Sequence, residues 1–188
     1  MKKSQVRVTS GSAGGLWIRV PKNFKSRPTQ DKVKQAVFSK LGALVAGARA
    51  LDLFAGTGSL GIEALSRGAA SCAFVDDDPA CARAIRENLK HCGLEAKSVV
   101  FNQKVEAFFK NSEGKDFSLV FLDPPYSLEP TDLAKTSLAE NLARKFPPAT
   151  LVVWEHRARD VWSGHAAFKN QKRAVYGETA VLFLEIAG

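Results

Sequence analysis

Cysteine is scarce in this sequence, and no cysteine pair has the spacing of a metal site. The 188 residues include three cysteines, Cys72, Cys81 and Cys92, and no two of them form a C-x-x-C motif. An odd number of scattered cysteines does not suit a disulfide framework or a zinc site, and it is typical of a reducing compartment. We therefore expect a cytoplasmic protein without a bound metal.

Long hydrophobic runs are also missing. Apolar runs such as LVVW at 151–154 and VLFLEIA at 181–187 are far shorter than the roughly 20 residues that cross a bilayer. The first residues, MKKSQVRVTSG, are basic, but they lack the apolar segment of a secretory signal. We expect no membrane association.

Acidic residues are nearly absent from residues 1–40, which contain ten Lys or Arg and one acid, Asp31. This segment carries a charge of +9, whereas the remaining 148 residues carry −1. A concentrated basic segment suits a polyanionic partner. A solvated tail kept basic for solubility would have the same composition, so charge alone leaves both interpretations open.

Strand-like and helix-like segments alternate from Arg49 onward. Strand patterns occur at ALDLF, SCAFVD, KSVVFN, FSLVFLD and TLVVWEH. Helix patterns lie between them, at SLGIEALSRG, at PACARAIRENLKHCG, at VEAFFKN and, over residues 130–146, at PTDLAKTSLAENLARKF. The chain then shows two further strand patterns, AFKNQKRAVYG and TAVLFLEI, separated only by a turn at Gly177. This order predicts a Rossmann-like α/β fold with a mainly parallel seven-stranded sheet that ends in an antiparallel hairpin.

The N-terminal segment has its own pattern. QVRVTS and LWIRVP read as two strands around the turn GSAGG, which predicts a β-hairpin that reaches residue 21. The basic linker KNFKSRP follows, and Thr29 then suits the N-cap of a helix with Asp31 in its first turn. We expect a hairpin arm and linker at residues 1–28 and one α/β domain at residues 29–188.

A glycine-rich turn follows the first strand of the α/β region. In DLFAGTGSLG, Gly56, Gly58 and Gly61 match the G-x-G-x-x-G pattern, in which glycine lets a ligand approach the backbone beside a helix start. A nicotinamide or flavin dinucleotide and S-adenosylmethionine would both suit such a turn. The spacing does not decide between an oxidoreductase and a methyltransferase, and a simple tight turn is a third interpretation.

Acidic residues end the second strand, at FVDDDPA. Asp76 lies where such folds place a carboxylate that accepts hydrogen bonds from ribose hydroxyls. Asp78 suits the N-cap of the helix that starts at Pro79. A metal site is disfavoured because consecutive side chains point away from one another.

The stretch LVFLDPPYS is the most informative one in the sequence. Pro124 and Pro125 lack N–H donors, so the loop exposes carbonyl oxygens, while Asp123 adds a carboxylate and Tyr126 a flat ring for stacking. Two acceptors can hold the hydrogens of an exocyclic amine and draw its lone pair out of conjugation. This arrangement suits methyl transfer to an amino group, and hydride transfer has no use for it. A structural turn after a strand is the alternative.

The motif [D/N]-P-P-[Y/F/W] after the fourth strand is the signature of amino-group methyltransferases that use S-adenosylmethionine. The whole chain resembles the RsmD family of bacterial small-subunit rRNA guanine-N2 methyltransferases. The motifs are RPTQDKVKQAVF, LDLFAGTGSLGIEALSRGA, FVDDDPACARAIRENL, FLDPPY, VVWEH and YGETAVLFLE, which extend almost from end to end. The resemblance implies a class I methyltransferase fold and the production of S-adenosylhomocysteine without a metal.

The resemblance also assigns site residues by position. The predicted cofactor site is formed by Arg27, Pro28, Thr29, Asp52, Phe54, Ala55, Gly56, Thr57, Gly58, Asp76, Asp77, Gln103 and Lys104, by position in the resemblance. The resemblance implies a catalytic loop, which holds the target guanine, formed by Asp123, Pro124, Pro125 and Tyr126. The implied partner is small-subunit 16S rRNA or a 30S assembly particle, bound by a monomeric protein.

Two departures from the family pattern change the expected contacts. Lys104 stands where the family often has Asp or Asn to accept a hydrogen bond from adenine, so Gln103 or a backbone carbonyl is expected to replace it. The hairpin also lacks some of the family's basic residues, so RNA contact is expected either from Lys22, Lys25 and Arg27 or from stacking on Trp17. The candidate RNA-binding residues are Lys2, Lys3, Arg7, Trp17, Arg19, Lys22, Lys25 and Lys32.

Other functions share parts of this pattern. An amino-group methyltransferase acting on adenine N6 of DNA or RNA, or on a protein glutamine, would keep the chemistry and change the substrate. An RNA-binding ribosome-assembly factor could retain the fold without catalysis, although an intact DPPY loop argues against this. The methylated amine must lose a proton, and His156, Asp123 and water are the candidate acceptors.

Overall fold

The computed structural model describes residues 5–21, 31–111, 116–124 and 137–188. Its strands are β1 (Gln5–Arg7), β2 (Trp17–Arg19), β3 (Arg49–Leu53), β4 (Ser71–Asp76), β5 (Ser98–Asn102), β6 (Leu119–Leu122), β7 (Leu151–Arg157), β8 (Phe168–Tyr176) and β9 (Thr179–Ile186). Its α-helices are α1 (Asp31–Leu41), α2 (Ser59–Ser66), α3 (Pro79–Cys92), α4 (Val105–Asn111) and α5 (Ser137–Lys145). Short 3₁₀ helices lie at Gly42–Val45 and Glu95–Lys97.

Seven strands form one sheet in the order β5-β4-β3-β6-β7-β9-β8. The strands β3 to β7 pair in parallel, and β9 runs antiparallel between β7 and β8. The predicted fold, a mainly parallel sheet that ends in an antiparallel hairpin, is confirmed. The strand and helix patterns predicted this architecture because each β–α unit carries its own turn signals.

The strand order reverses beside β3. The chain builds outward from β3 to β4 and β5, and then returns to place β6 on the other side of β3. Leu53 at the end of β3 is paired with Val75 on one side and Leu122 on the other. In open α/β sheets the crevice at this switch point, beyond the carboxyl ends of the strands, is where ligands bind.

Apolar side chains fill both faces of the sheet. One face packs against α1, α2 and α3 through residues such as Phe38, Ile62 and Ile85. The other packs against α4 and α5 through Phe108 and Leu142. Because β3 and β6 are covered on both faces, they are almost continuously apolar, as central parallel strands are expected to be.

The N-terminal segment forms the predicted antiparallel hairpin, with Gln5 opposite Arg19 and Arg7 opposite Trp17. Its inward-facing residues, Val6 and Ile18, are buried in the same core as the helices of the first face. The hairpin is therefore packed on the α/β region and does not extend from it as an isolated arm. The predicted N-cap Thr29 lies outside the described residues, as does the start of the helix predicted over 130–146.

Buried polar contacts reinforce this packing. The Glu63 carboxylate accepts hydrogen bonds from the Thr9 backbone N–H at 2.8 Å, the Thr9 hydroxyl at 2.6 Å and the Ser10 N–H at 3.1 Å. Arg67 Nε lies 2.7 Å from Glu63, and Lys34 Nζ lies 3.5 Å from it. Lys34 Nζ also donates to the Arg7 carbonyl at 2.6 Å. Glu63 thus ties the hairpin to α1 and α2.

Candidate active site

The glycine turn occupies residues 54–58, between the carboxyl end of β3 and α2. Three of its residues have a left-handed backbone, namely Phe54 (φ 57°), Gly56 (φ 55°) and Gly58 (φ 74°). A positive φ is costly for a residue with a Cβ, so the two glycines allow this path and Phe54 retains local strain. The turn is closed by a 2.7 Å hydrogen bond from the Gly58 N–H to the Ala55 carbonyl.

The third glycine of the motif serves packing. A Cβ on Gly61 would lie 2.3 Å from Cε1 of Phe74 in β4, so only glycine lets α2 lie this close to the sheet. The first turn of α2 is thereby held beside the ends of β3 and β4.

Asp76 links the end of β4 to the glycine turn. Its carboxylate accepts the Gly56 N–H at 2.7 Å through Oδ2 and the Asp78 N–H at 2.9 Å through Oδ1. Burial raises the pKa of this carboxyl, and the two N–H donors oppose that rise. A carboxylate has about four acceptor positions, so the two oxygens retain capacity to accept hydroxyl donors. Asp77 beside it is exposed.

The Asp78 side chain caps α3, as predicted. Its Oδ1 accepts the Ala80 N–H at 2.7 Å, with Pro79 in the first turn of the helix.

Asp52 lies beneath the turn and not on its surface. It is 2% exposed, and its Oδ2 accepts the Gly61 N–H at 2.9 Å. Burial raises its pKa to about 8, so the carboxyl is protonated at neutral pH. Asp52 therefore holds the first turn of α2 in place.

Replacing Asp52 with asparagine should flatten the pH dependence of stability. The folded-state pKa of about 8 exceeds the usual 3.8, so between these values the folded protein holds a proton that the unfolded chain has lost. Its contribution to stability is therefore lost as the pH rises through this window. Asparagine can accept the same N–H bond without titrating. Urea unfolding at several pH values should give a shallower slope for Asp52→Asn, and the exposed Asp116→Asn should not change it. Equal slopes for wild type and Asp52→Asn would contradict the assignment.

The loop after β5 also reaches Asp76. Asn102 Nδ2 and the Gln103 N–H both donate to the Asp76 carbonyl, at 3.0 and 3.1 Å. Lys104 is exposed and Gln103 is half-buried. The loops after β3, β4 and β5 are therefore connected by hydrogen bonds at one edge of the sheet.

The predicted amine-binding loop begins at the same edge. Asp123 is half-buried and Pro124 is buried, directly after Leu122 of β6. Because Leu122 pairs with Leu53 of β3 and Trp154 of β7, Asp123 emerges between the glycine turn and the end of β7. Five of the predicted residues at this edge lie outside the described residues: Arg27, Pro28, Thr29, Pro125 and Tyr126.

His156, on β7, is deeply buried. It is 6% exposed, and neither ring nitrogen has a hydrogen-bond partner among the described residues. Burial lowers its pKa, and Arg173 adds to this effect. The ring is therefore neutral at neutral pH, and its ring centroid is 5.6 Å from that of Trp154. His156 lies near the end of β7, two residues after Trp154, which pairs with Leu122 at the end of β6.

A groove of about 550 Å³ lies between the hairpin and α3. Trp17, which is 50% exposed, and Arg19 line it, together with Lys90 and His91 from the last turn of α3. Arg7 and Lys32 are exposed, whereas Lys2, Lys3, Lys22 and Lys25 lie outside the described residues. The sequence did not indicate that Lys90 and His91 belong with Trp17. Basic residues in a last helical turn are common, and only the packing brings them to the hairpin.

No group of three or more His, Cys, Asp or Glu side chains in the described ranges is arranged to hold a metal ion. No helix within those ranges is both long and apolar enough to cross a bilayer.

Residues 6–185 match the family described as Conserved hypothetical protein 95. The chain is similar to ribosomal RNA small subunit methyltransferase D of Haemophilus influenzae, with 37% identity over 142 residues, which cover 74% of this chain and 73% of the relative. Its structure is similar to that of a candidate methyltransferase from Escherichia coli, with a TM-score of 0.82 and 27% identity over 98% of this chain and 99% of the other. An RNA methyltransferase from Salinibacter ruber, solved with S-adenosyl-L-homocysteine, shares the fold at 20% identity, with a TM-score of 0.67 over 86% of this chain and 94% of the other.

Proposed function

Because the chain belongs to the family described as Conserved hypothetical protein 95, the RsmD family, we propose that it methylates the exocyclic N2 of a specific guanine in 16S rRNA. The observation that carries this proposal is the position of the D-P-P-Y motif. Its first residue follows β6, the strand next to the glycine turn at the switch point of the sheet. A methyl donor in the turn and an amine in the loop would then be neighbours.

S-adenosylmethionine suits the described part of the edge. The glycine turn exposes backbone without a Cβ at Gly56 and Gly58, and the Asp76 carboxylate retains acceptor capacity for ribose hydroxyls. Asp77 and Gln103 lie beside Asp76, where a nucleoside could be held. When bound, S-adenosylmethionine supplies an electrophilic methyl group and leaves as S-adenosylhomocysteine. The Salinibacter ruber neighbour, with S-adenosylhomocysteine bound, supports this choice.

Replacing Asp76 with alanine should weaken S-adenosylhomocysteine binding at least about tenfold, because it removes the ribose acceptor and the support of the Gly56 N–H. Isothermal titration calorimetry measures this directly. The matched control is Asp78→Ala, which removes a neighbouring carboxylate that caps α3 and should change the affinity less than about twofold. Similar losses for the two variants would mean that Asp76 has no specific role in binding.

The catalytic loop would act by orientation. The Asp123 carboxylate and the carbonyl of Pro124 would accept the two hydrogens of the guanine amino group, while Tyr126 stacks on the base. These contacts would turn the nitrogen lone pair toward the methyl group, and Pro125 would help fix the loop. The contribution would come from positioning and electrostatics, without a covalent intermediate.

The basic N-terminal region would hold the RNA. A guanine N2 in a paired helix is not accessible to the loop, so the base must be unpaired or flipped out. Arg7, Arg19 and Lys32 would contact phosphates and Trp17 would stack on a base, with Lys90 and His91 as further contacts in the groove. The proposed partner is free rRNA or a 30S assembly particle, and the proposed location is the cytoplasm. We further propose that the protein acts as a monomer.

A transfer assay tests the substrate class. Wild-type protein is incubated with methyl-labelled S-adenosylmethionine and, separately, 30S subunits or naked 16S rRNA from a strain that lacks the modification, duplex DNA and total protein. We expect label in the rRNA-containing samples alone. Label in DNA or protein, or in no sample, would contradict an rRNA methyltransferase.

A further inference from the structure

Asn88 on α3 lies between the hairpin and the glycine turn. It is 1% exposed, and its side-chain amide forms hydrogen bonds with two different segments of the chain. Its Oδ1 accepts the Arg19 N–H at 2.8 Å, and its Nδ2 donates to the Arg19 carbonyl at 3.0 Å. Nδ2 also donates to the carbonyl of Thr57, at 3.3 Å. One buried side chain thus joins strand β2 to the middle of the turn.

The amide is well suited to this position. It provides one acceptor and two donors, and all three are used. Toward Arg19 it satisfies both backbone groups of one residue, as a neighbouring β-strand would. Aspartate has the same shape but cannot donate, and leucine has no polar atom, so neither could replace asparagine here.

Helix α3 supports the turn at a second point. A Cβ on Gly58 would lie 3.1 Å from Cγ1 of Ile85, one helical turn before Asn88, so the turn rests closely on the helix. Thr57 and Ile85 are both buried. A displacement of this part of α3 would therefore also displace the residues around the proposed cofactor site.

The groove between the hairpin and α3 is lined by the same segment, including Arg19 and Asn88. Arg19, whose backbone is held by Asn88, presents its side chain to that groove beside Trp17. Its guanidinium lies 3.7 Å from Glu87, the residue before Asn88. A ligand that orders Trp17 and Arg19 would consequently order the peptide group to which Asn88 is bonded.

We propose that Asn88 is a positioning residue that couples the hairpin to the glycine turn. Binding of either rRNA or S-adenosylmethionine then increases the affinity of the protein for the other ligand. This inference rests on the proposed function. By thermodynamic linkage the coupling is reciprocal, and a link of this size should change each affinity by about threefold to tenfold. Coupling of this kind favours binding of RNA to a protein already loaded with the methyl donor.

The coupling is measured as a ratio of two dissociation constants. A fluorescein-labelled fragment of unmethylated 16S rRNA is titrated with the protein, with and without saturating S-adenosylhomocysteine, which prevents turnover. For wild type we expect binding about fivefold tighter with S-adenosylhomocysteine. For Asn88→Ala the ratio should fall to about one. A ratio in Asn88→Ala equal to that of wild type would overturn the proposal.

The control variant is Ser66→Ala, which loosens the hairpin at its other end. Ser66 Oγ accepts the Ala13 N–H at 2.9 Å and donates to the Ser10 carbonyl at 2.6 Å. Neither partner belongs to the glycine turn at residues 54–58. Ser66→Ala should weaken RNA binding and leave the ratio at the wild-type value. If Asn88 merely anchored the hairpin, Asn88→Ala would behave like Ser66→Ala, which would also overturn the proposal.

Hydrogen exchange in wild-type protein gives a test that needs no variant. Binding of the rRNA fragment without S-adenosylhomocysteine should slow amide exchange in a peptide that covers residues 54–62. Unchanged exchange there, with RNA bound, would overturn the coupling. If wild type binds both ligands with a ratio of one, the inference fails and the proposed function stands. If it binds neither, the proposed function itself fails and the inference fails with it.

Discussion

Replacing Asp123 with alanine should lower the rate of methyl transfer by about 100- to 1,000-fold and leave S-adenosylhomocysteine affinity within about threefold of wild type. Asp123 follows β6, whereas the proposed ribose acceptor Asp76 ends β4, on the other side of β3. In the proposed site, this separation puts the amine and the cofactor at the ends of different strands. Loss of the carboxylate should therefore remove stabilisation of the reacting amine without removing a cofactor contact.

Single-turnover transfer to unmethylated rRNA and calorimetry with S-adenosylhomocysteine measure the two effects separately. Asp116→Ala is the matched control, because it removes a carboxylate before the other end of β6, where it forms an exposed ion pair with Arg49 at 3.3 Å. It should leave both quantities near their wild-type values. If Asp123→Ala also abolished S-adenosylhomocysteine binding, the division of roles between β4 and β6 would be wrong.

Replacing Glu63 with alanine should lower the free energy of unfolding by about 3–5 kcal/mol. Glu63 and Lys34 have fully buried side chains, and their charged groups lie 3.5 Å apart. Burial lowers the pKa of Lys34, and Glu63 opposes that shift. Without Glu63, Asp31 would be the only nearby anion for the buried ammonium among the described residues, at 4.0 Å. The hairpin N–H groups of Thr9 and Ser10 would also lose their acceptor.

Urea denaturation followed by circular dichroism gives this value. The control is Glu87→Ala, because Glu87 forms an exposed pair with Arg19 and exposed pairs contribute about 0–1 kcal/mol. A double variant, Lys34→Met with Glu63→Leu, should recover part of the loss, since paired apolar replacement removes the uncompensated charge. A loss below about 1 kcal/mol for Glu63→Ala would show that the buried cluster does not anchor the hairpin.

The sequence predicted the elements well because their signals are local. β4 is SCAFVD and α4 is VEAFFKN in both the prediction and the structure. Asp78 was predicted to cap α3 from its position before Pro79, and it does so. Such signals depend on residues a few positions apart, so a single sequence contains them.

Contacts between distant segments were harder to predict. Asp52 is an example: its place in the cofactor floor stays a prediction from the resemblance, and the structure adds that its carboxyl is buried and bonded to Gly61. The sequence pattern of β3 does not reveal whether α2 will cover the Asp52 side chain. No local signal in the sequence around Glu63 or Asn88 identifies their partners. Their partners are 54 and 69 positions away, respectively, in the hairpin, and only the packing of the hairpin against α2 and α3 selects them.

The identity of the methylated nucleoside tests the central claim most directly. Unmethylated 16S rRNA, free and in 30S subunits, is treated with wild-type protein and S-adenosylmethionine, digested to nucleosides and separated by liquid chromatography with mass spectrometry. The account predicts N2-methylguanosine in at least one of these substrates, and none with Asp123→Ala. Methylated adenosine, guanosine methylated at another position, or N2-methylguanosine formed equally well by Asp123→Ala would contradict it.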